Sequence, residues 1–209
     1  MKFGKEKFFG DYRVRMGTLK QEQVDGLNFL LDQFALDDGF TMVRELAYVL
    51  ATVKGETGIF QPRREIRASA TKNPTIFRAQ EKYWGTGFFG RGYVQITWER
   101  NYRNAGRQLA GKGILVMDKD GNQQPVTIGD ETFVQNPNWV MQPQAAYAIM
   151  SRGMREGWFT TKKLSDFIKD GRPPDYKNAR KIINGLDRAN EFAMFASNFE
   201  LILRASRVE

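Results

Sequence analysis

The sequence predicts an α+β fold that is predominantly α-helical, with a small β element beside a charged loop. Over most of the chain, apolar residues recur at spacings of three and four, which is the period of amphipathic helices. One short segment, GRGYVQITW at 90–98, alternates instead with the period of a strand. A length of 209 residues is typical of one domain, so we expect residues 1–209 to form a single domain with an N-terminal arm at 1–17.

Two helices are predicted in the first third of the chain. The first follows Thr18, which can form a capping box with Gln21. Its apolar positions are Val24, Leu27, Leu31 and Phe34. The second helix follows Thr41 as its cap and ends before Gly58. Its stripe of core-facing positions is Leu46, Val49, Val53 and then Glu56.

The middle of the chain is predicted to hold the β structure. A polar, arginine-rich loop precedes 90–98, which we interpret as a half-buried strand with Gln95 and Thr97 on its polar side. The segment NYRNAGRQLAG at 101–111 predicts a short helix. Residues 111–132 then predict an inserted β-hairpin whose turn is DKDGN.

The last third is predicted to be helical again. One helix begins at Pro143, a shorter one covers KKLSDFI, and a third covers YKNARKIIN and stops at Gly185. A final helix is capped by Asp187. Its buried face is predicted to carry Phe192, Phe195, Phe199 and Ile202.

The composition excludes several kinds of chemistry. Without cysteine the chain has no thiol nucleophile, disulfide or thiolate metal site, and without histidine it has no Ser-His or Cys-His triad. Carboxylates therefore remain as the expected acid and base groups. A formal net charge of +8 indicates a polyanionic partner: nucleic acid, an anionic membrane or an acidic polymer such as bacterial cell wall.

Two glutamates nine positions apart are the candidate catalytic pair. Glu56 continues the apolar stripe of its helix and lies in the last turn, so burial and the helix dipole should both raise its pKa. Glu65 lies among Arg63, Arg64 and Arg67, whose charges should keep it ionised. An acid and a base with separated pKa values are the working groups of an inverting glycosidase. From spacing alone, a solvated helix end and a surface salt bridge explain the pair better than catalysis does, and Glu81 competes for the role of base.

Four motifs together resemble the family-19 glycoside hydrolases, and most closely their small phage-type members, the lysozyme-like endolysins that cut peptidoglycan. The motifs are ATVKGETG, GRGYVQITWERNY, GMREGWFT and ARKIINGLDRA, and they appear in the order of the family. The resemblance runs from about Gln21 to the C-terminal helix. It implies a lysozyme-like, mostly helical fold with a catalytic cleft beside a small β element.

The resemblance also implies roles for particular residues. Glu56 corresponds to the general acid, Glu65 to the base of the phage-type members, and Thr97 to the hydroxyl that positions the attacking water. Thr71, six residues after Glu65, is a second candidate for that hydroxyl by its similarity to phage T4-type lysozymes. The expected substrate-binding residues are Gln95, Asn101, Asn184, Tyr93, Arg91 and Tyr102, and Tyr83 and Trp84 are further candidates for stacking on sugars.

Two positions depart from the family pattern. Gly55 stands where the family has histidine. This small residue is expected to open the space beside Glu56 to water. The base of the plant chitinases corresponds to Arg78 here, so that assignment does not transfer.

These observations predict a peptidoglycan hydrolase of the N-acetylmuramidase type that works with inversion and needs no cofactor or metal. A chitinase is the nearest alternative, and a non-catalytic binder of cell wall or nucleic acid is another. We expect a monomer with peptidoglycan as partner, anionic outer-membrane lipid as a further partner and no nucleic acid. The N-terminus lacks the apolar core of a signal peptide, so the expectation is synthesis in the host cytoplasm and action at the periplasmic cell wall after release by a holin.

Overall fold

The computed structural model describes residues 1–117 and 121–208. Its α-helices are α1 (Lys5–Met16), α2 (Gln21–Leu36), α3 (Val43–Thr57), α4 (Pro74–Trp84), α5 (Glu99–Gln108), α6 (Thr132–Gln135), α7 (Pro143–Glu156), α8 (Leu164–Phe167), α9 (Tyr176–Ala179) and α10 (Ala189–Ser206). Short 3-10 helices cover Pro137–Met141 and Arg180–Ile182. The strands are β1 (Lys2–Phe3), β2 (Arg63–Arg64), β3 (Arg91–Gly92), β4 (Gly113–Met117), β5 (Gln123–Thr127) and β6 (Arg207–Val208).

The fold is α+β and predominantly α-helical, as the sequence predicts. Helices account for 57% of the described residues, whose strands form three two-stranded antiparallel sheets, β1–β6, β2–β3 and β4–β5. No helix of the described chain combines the length and the apolar character that a membrane span requires. The described residues divide into two compact units, one comprising Met1–Gln61 and the residues from Ser151 onward, the other Pro62–Met150.

The first unit is built on the packing of α3 against α10. The stripe residues Leu46, Val49 and Val53 of α3 are fully buried, as are Phe199 and Ile202 of α10. The burial of these residues confirms the helical spacing of core positions that was predicted for both segments.

Residues 1–17, predicted as an arm, carry secondary structure and contribute to the core of the first unit. Strand β1 pairs with β6, so the two ends of the described chain are hydrogen-bonded to each other. Helix α1 buries Phe8 and Tyr12, and the Tyr12 ring lies 6.3 Å from the Phe60 ring and 6.0 Å from the Phe199 ring.

The second unit contains a helix that the sequence analysis missed. Helix α4 lies in the segment interpreted as a polar loop, and it begins with Pro74 at its first position. Proline is favoured there because the first turn of a helix has no acceptor for its N–H. The β4–β5 hairpin is present, with Gly113 opposite Thr127 and Met117 opposite Gln123. The first three residues of its predicted DKDGN turn lie outside the described residues.

The strand predicted at 90–98 is wrong in extent. Regular pairing covers only Arg91 and Gly92 of this segment, after which the chain makes a tight turn and Ile96 pairs back with Arg91. The turn places Gln95 at a φ of 52° and Trp98 at 73°, so neither is extended. Alternation misled here because Tyr93, Val94 and Ile96 are all buried in a compact loop rather than on one face of a strand.

The predicted N-terminal caps are displaced by one to two residues. Helices α2 and α3 begin after Lys20 and Met42 rather than after Thr18 and Thr41, and α10 begins after Arg188 rather than after Asp187. In α2 and α3 a side chain of the first turn reaches back. Gln23 Oε1 accepts from the Lys20 N–H at 2.9 Å, and Glu45 Oε2 accepts from the N–H groups of Thr41 and Met42 at 3.0 Å. The stop at Gly58 is confirmed, since Gly58 adopts the left-handed conformation with a φ of 71°.

Candidate functional site

Glu56 lies in the last turn of α3, in the first unit. It continues the buried stripe of the helix, and 17% of its side chain is exposed. Its Oε1 atom lies 2.7 Å from Nη1 of Arg180, whose side chain is only 5% exposed. The sequence prediction that Glu56 points inward is therefore confirmed, but its partner Arg180 was not foreseen.

The segment that follows α9 surrounds this ion pair. Arg180 begins the 3-10 helix after α9, lies 4.2 Å from the centre of the Phe192 ring, and donates from Nε to the Asp187 carbonyl at 3.3 Å. Arg188 donates from Nη1 to the Gly55 carbonyl at 3.3 Å. We call Glu56, Arg180, Asp187 and Arg188 the Glu56 cluster.

Gly55 is explained by the packing beside Glu56. A Cβ atom at this position would lie 2.3 Å from Cζ of Phe192, so any larger residue would collide with that ring. The expectation that Gly55 opens the space to water is wrong, because Phe192 occupies it. The absence of a side chain here lets the core of the first unit close against the last turn of α3.

The environment raises the pKa of Glu56 above its ordinary value. Burial is the largest cause, since it disfavours the charged carboxylate. The positive charges of Arg180 and Arg188 oppose the shift, and the negative charge of Asp187 adds to it. The predicted direction is confirmed. A carboxyl group of this kind retains its proton at a higher pH than an exposed glutamate does, and can donate it.

A line of buried polar groups leads to Glu56 along α3. Tyr48, Thr52 and Glu56 are spaced by four residues and so share one face of the helix. The Tyr48 and Thr52 hydroxyls are buried next to each other, and neither makes a well-aligned hydrogen bond among the described residues. The four-residue spacing is visible in the sequence, but Tyr48 and Thr52 were not singled out there.

Asn184, expected to bind substrate, belongs to the same loop of the first unit. It is exposed, its N–H donates to the Arg180 carbonyl at 3.1 Å, and its Oδ1 accepts from the Gly185 N–H at 2.9 Å. The backbone of Asn184 is thus fixed to the residue that pairs with Glu56, and its exposed side chain is accessible to a ligand.

Glu65 lies in the second unit, one residue beyond the β2–β3 pairing. Its N–H donates to the Gly90 carbonyl at 2.8 Å, and its Oε2 accepts from the Gly90 N–H at 2.8 Å. Oε1 accepts from the Tyr83 hydroxyl at 2.7 Å and from Gln80 Nε2 at 2.9 Å. We call Glu65, Gln80, Tyr83, Gly90 and Gln95 the Glu65 cluster.

Two of the arginines next to Glu65 have other partners. Arg67 forms an ion pair with Glu81 at 2.6 Å, and the Arg64 guanidinium lies 4.7 Å from the centre of the Phe89 ring. The expectation that neighbouring arginines hold Glu65 is therefore corrected for Arg64 and Arg67, and neutral donors bind its carboxylate. Glu81, the competing candidate for the base, has a side chain that is 57% exposed and paired with Arg67.

Gln95, Thr97 and Asn101 form a connected series beside Glu65. Gln95 Nε2 donates to the carbonyls of Arg63 and Gly92 at 2.9 Å, the Thr97 hydroxyl donates to the Gln95 carbonyl at 3.1 Å, and Asn101 Nδ2 donates to the Thr97 carbonyl at 2.7 Å. All three side chains are half-buried. The predicted grouping is present, although a turn rather than a strand creates it.

Gly90 has no side chain because Glu65 and Gln95 converge on it. A Cβ atom there would lie 2.9 Å from Gln95 Oε1 and 3.1 Å from Glu65 Oε2. The carboxylate and the amide therefore both approach the space that a side chain at position 90 would occupy.

Arg91, Tyr93 and Tyr102 are buried, with exposures of 5%, 1% and 0%. Arg91 donates to Asn138, to the Gly87 carbonyl and to the Tyr102 hydroxyl, each at 2.9 Å. The expectation that these three side chains contact substrate is corrected, because their polar and aromatic surfaces are used inside the second unit.

The remaining candidates of the second unit differ in position. Thr71 is exposed, and its hydroxyl shares a hydrogen bond with the Ser69 hydroxyl at 3.0 Å. Tyr83 belongs to the Glu65 cluster. Trp84 stacks on Phe89 with ring centres 4.4 Å apart.

Within residues 1–117 and 121–208, no three Asp, Glu, His or Cys side chains are grouped so that they could hold a metal ion.

Comparison with known proteins gives one partial similarity. An endochitinase from Arabidopsis thaliana is 37% identical over 79 residues, which are 37% of this chain. The chain spans only 27% of the length of that relative. No family model matches the chain, and no solved structure does. Over about a third of its length, this protein is therefore similar to a chitinase.

Proposed function

We propose that this protein is a glycoside hydrolase that cleaves the glycan strands of peptidoglycan. The observation that carries the proposal is Glu56, a carboxyl group at the end of a buried helix whose burial raises its pKa while Arg180 fixes its position. A group that keeps its proton in this way suits general acid catalysis of glycosidic bond cleavage. The partial similarity to an endochitinase supports the same chemistry.

Glu56 protonates the glycosidic oxygen in this proposal, and Glu65 activates the attacking water. Glu65 accepts hydrogen bonds from neutral donors, which leaves its negative charge without a paired cation in those contacts. Glu81 is the weaker candidate for the base because Arg67 neutralises it in solvent. Two carboxyl groups with different environments are the means by which inverting glycosidases divide the roles of acid and base.

The Thr97 hydroxyl positions the water, and Gln95, Asn101 and Asn184 contact the sugars. We rank Thr97 above Thr71 because Thr97 is bonded to Gln95, whose side chain meets Glu65 at Gly90. The exposed Thr71 has its hydrogen bond with Ser69 instead.

Positive charge favours peptidoglycan over a neutral glycan. The formal net charge is +8, and the cell-wall polymer carries carboxylates that the charge attracts. We propose cleavage between N-acetylmuramic acid and N-acetylglucosamine, in the manner of a phage endolysin that reaches the periplasm from the host cytoplasm through a holin-type pore. The attraction to wall polymer should weaken as salt is added.

Chitin is the second candidate substrate. It is favoured by the similarity to a protein described as an endochitinase. The mechanism and the roles of Glu56 and Glu65 are the same for both polymers, so the choice between them concerns the sugars that the site accepts.

The test is a comparison of three proteins on two purified polymers. Wild type, Glu56→Gln and the control Glu22→Gln, which removes an exposed carboxylate from α2, are assayed for new reducing ends on peptidoglycan and on chitin oligosaccharides. We expect peptidoglycan cleavage by wild type and by Glu22→Gln, and a loss of at least about a hundredfold for Glu56→Gln. If the wild type cleaves chitin but not peptidoglycan, chitin is the substrate. If Glu56→Gln keeps wild-type activity, Glu56 is not the general acid. Binding to peptidoglycan without cleavage by any of the three would favour a non-catalytic binder.

A further inference from the structure

A cavity in the first unit, separate from the Glu56 cluster, has four arginines among its twelve lining residues. It has a volume of about 780 Å³ and lies between residues 41–44 at the start of α3, the loop 170–174 and the end of α10. Among the described residues that line it are Arg44, Arg172, Arg204 and Arg207, together with the carboxylates of Asp170 and Glu200. Two positive charges therefore remain in excess.

Glu200 organises the inner wall of this arginine cavity. Its Oε1 accepts from Arg44 Nε at 3.0 Å and from Arg204 Nη2 at 2.7 Å, and its Oε2 accepts from the Tyr176 hydroxyl at 2.8 Å. Burial opposes the charged form of Glu200, but the hydrogen bonds from Tyr176, Arg204 and Arg44 outweigh it and lower its pKa. The charge of Glu200 is thus used within the wall, and it holds two guanidinium groups in fixed positions.

The outer wall is different. Arg172 and Arg207 are exposed, and neither forms an ion pair with a carboxylate of the described residues. Asp170 folds back, with its Oδ1 accepting from the Gly171 N–H at 2.9 Å. The donors of Arg172 and Arg207 are therefore directed to solvent at the edge of the cavity, where an anion can reach them.

The loop that carries Arg172 is held in place before any ligand arrives. Pro173 and Pro174 restrict its backbone, and the Arg172 carbonyl accepts from Arg44 Nη1 at 2.9 Å. At its end, the Asp175 N–H donates to the Phe167 carbonyl at 2.9 Å. A fixed loop lowers the entropy cost of binding.

We propose that the arginine cavity binds a phosphate group. Arginine forks recognise phosphate oxygens by paired, charge-assisted hydrogen bonds, and a tetrahedral dianion can engage several forks at once. The phosphate comes either from the headgroup of a membrane lipid or from a small soluble phosphate. This site is independent of the proposed glycosidase activity, because it rests on different residues and needs no turnover.

In the experiment the whole protein is titrated with inorganic phosphate at constant ionic strength, and the arginine Nε–H signals are followed by NMR. A parallel titration with sodium chloride uses chloride as the reference anion. We expect saturable shifts at Arg44 and Arg172 with phosphate and none with chloride. The affinity of the variant Arg172→Gln/Arg207→Gln for phosphate should be lower by at least about tenfold. The control Arg13→Gln/Arg15→Gln removes the same charge from exposed positions of α1 and should bind as wild type does.

Vesicles separate the two sources of phosphate. If the protein sediments with phosphatidic acid vesicles but not with phosphatidylcholine vesicles, and free phosphate reverses the sedimentation, the ligand is a lipid headgroup. Saturable phosphate binding without sedimentation assigns a soluble ligand. Equal loss of phosphate binding in the control and in Arg172→Gln/Arg207→Gln, or equal shifts with chloride, overturns the site, because either result means that only net charge is being measured.

Discussion

Arg180 lies against Glu56 in the interior of the first unit, with 2.7 Å between Nη1 and Oε1. The ion pair joins a helix end to a loop that is 124 positions away in the sequence. Burial pushes the carboxyl toward its neutral form, while the guanidinium pulls it toward the charged form, and burial prevails. The proposed acid is therefore poised between two opposing effects.

Removing the guanidinium should destabilise the fold in a pH-dependent way. Arg180→Met leaves the Glu56 carboxylate buried without its cation, so its pKa should rise further. At neutral pH we expect a loss of about 3 kcal/mol or more in the free energy of unfolding, as for other broken buried pairs. The loss should shrink as the pH falls, because Glu56 then takes up a proton and the buried charge disappears.

Urea unfolding at pH 7 and near pH 4.5 measures this difference. The control Arg107→Met breaks an exposed ion pair, since the side chains of Arg107 and Asp130 are 60% and 55% exposed. It should lower the free energy of unfolding by less than about 1 kcal/mol. An equal loss at both pH values for Arg180→Met would contradict the coupling to Glu56.

Glu65 and Glu81 should differ sharply as candidates for the base. Glu65→Gln removes the carboxylate that accepts from Tyr83, Gln80 and Gly90, and we expect kcat to fall by about a hundredfold or more. Glu81→Gln removes a solvated partner of Arg67 and should change kcat by less than about threefold. Steady-state kinetics on soluble peptidoglycan fragments gives both values, and a larger loss for Glu81→Gln would transfer the role of base to Glu81.

Gly90 should be essential for activity but not for folding. In Gly90→Ala the new methyl group would meet Gln95 Oε1 at 2.9 Å and Glu65 Oε2 at 3.1 Å, so both side chains must move. A displacement of about 1 Å in a catalytic group can reduce the rate by up to about a hundredfold. Gly85→Ala is the matched control, since its Cβ would have nothing within 4 Å. Turnover and melting temperature are measured for both variants. Unchanged turnover in Gly90→Ala would mean that Glu65 has no catalytic role.

The two stacked tyrosines should differ in the cost of losing the hydroxyl. The rings of Tyr48 and Tyr176 lie 5.9 Å apart and nearly parallel, but only Tyr176 donates to a carboxylate, Glu200, at 2.8 Å. Tyr176→Phe should cost about 1.5 to 3 kcal/mol of unfolding free energy. Tyr48→Phe should cost less, about 1 kcal/mol or below, because its hydroxyl faces the neutral Thr52 side chain and makes no well-aligned hydrogen bond among the described residues. Urea unfolding compares them, and a similar cost for Tyr48→Phe would mean that its hydroxyl is bonded, for example to an internal water molecule.

Patterns that depend on burial along a helix could be predicted from the sequence. The stripe that ends in Glu56 follows from the helical period, because each of its residues meets the same core. The period was less informative at 90–98, where several hydrogen bonds of a tight turn, rather than one buried face, decide which side chains are covered. Gln95 and Thr97 were predicted to share the polar side of a strand, but a turn holds them together, with the Thr97 hydroxyl donating to the Gln95 carbonyl.

Long-range partners could not be predicted. Nothing in the local sequence pairs Arg180 with Glu56 or directs Arg67 to Glu81 rather than to Glu65, because such choices depend on where distant segments pack. Burial of Arg91 and Tyr102 was missed for the same reason: polar and aromatic residues next to a motif look accessible until their partners are known. Helix α4 was missed because its charged residues obscured the signal of Pro74.

The role of Glu56 as the acid is tested most directly by measuring the titration of its carboxyl by ¹³C NMR together with the pH dependence of kcat on the same protein. We predict that Glu56 titrates above its ordinary value of 4.5 and that kcat falls on the alkaline side as this group loses its proton. If Glu56 titrates at or below 4.5, or if kcat persists unchanged at pH values where Glu56 is fully ionised, Glu56 is not the acid.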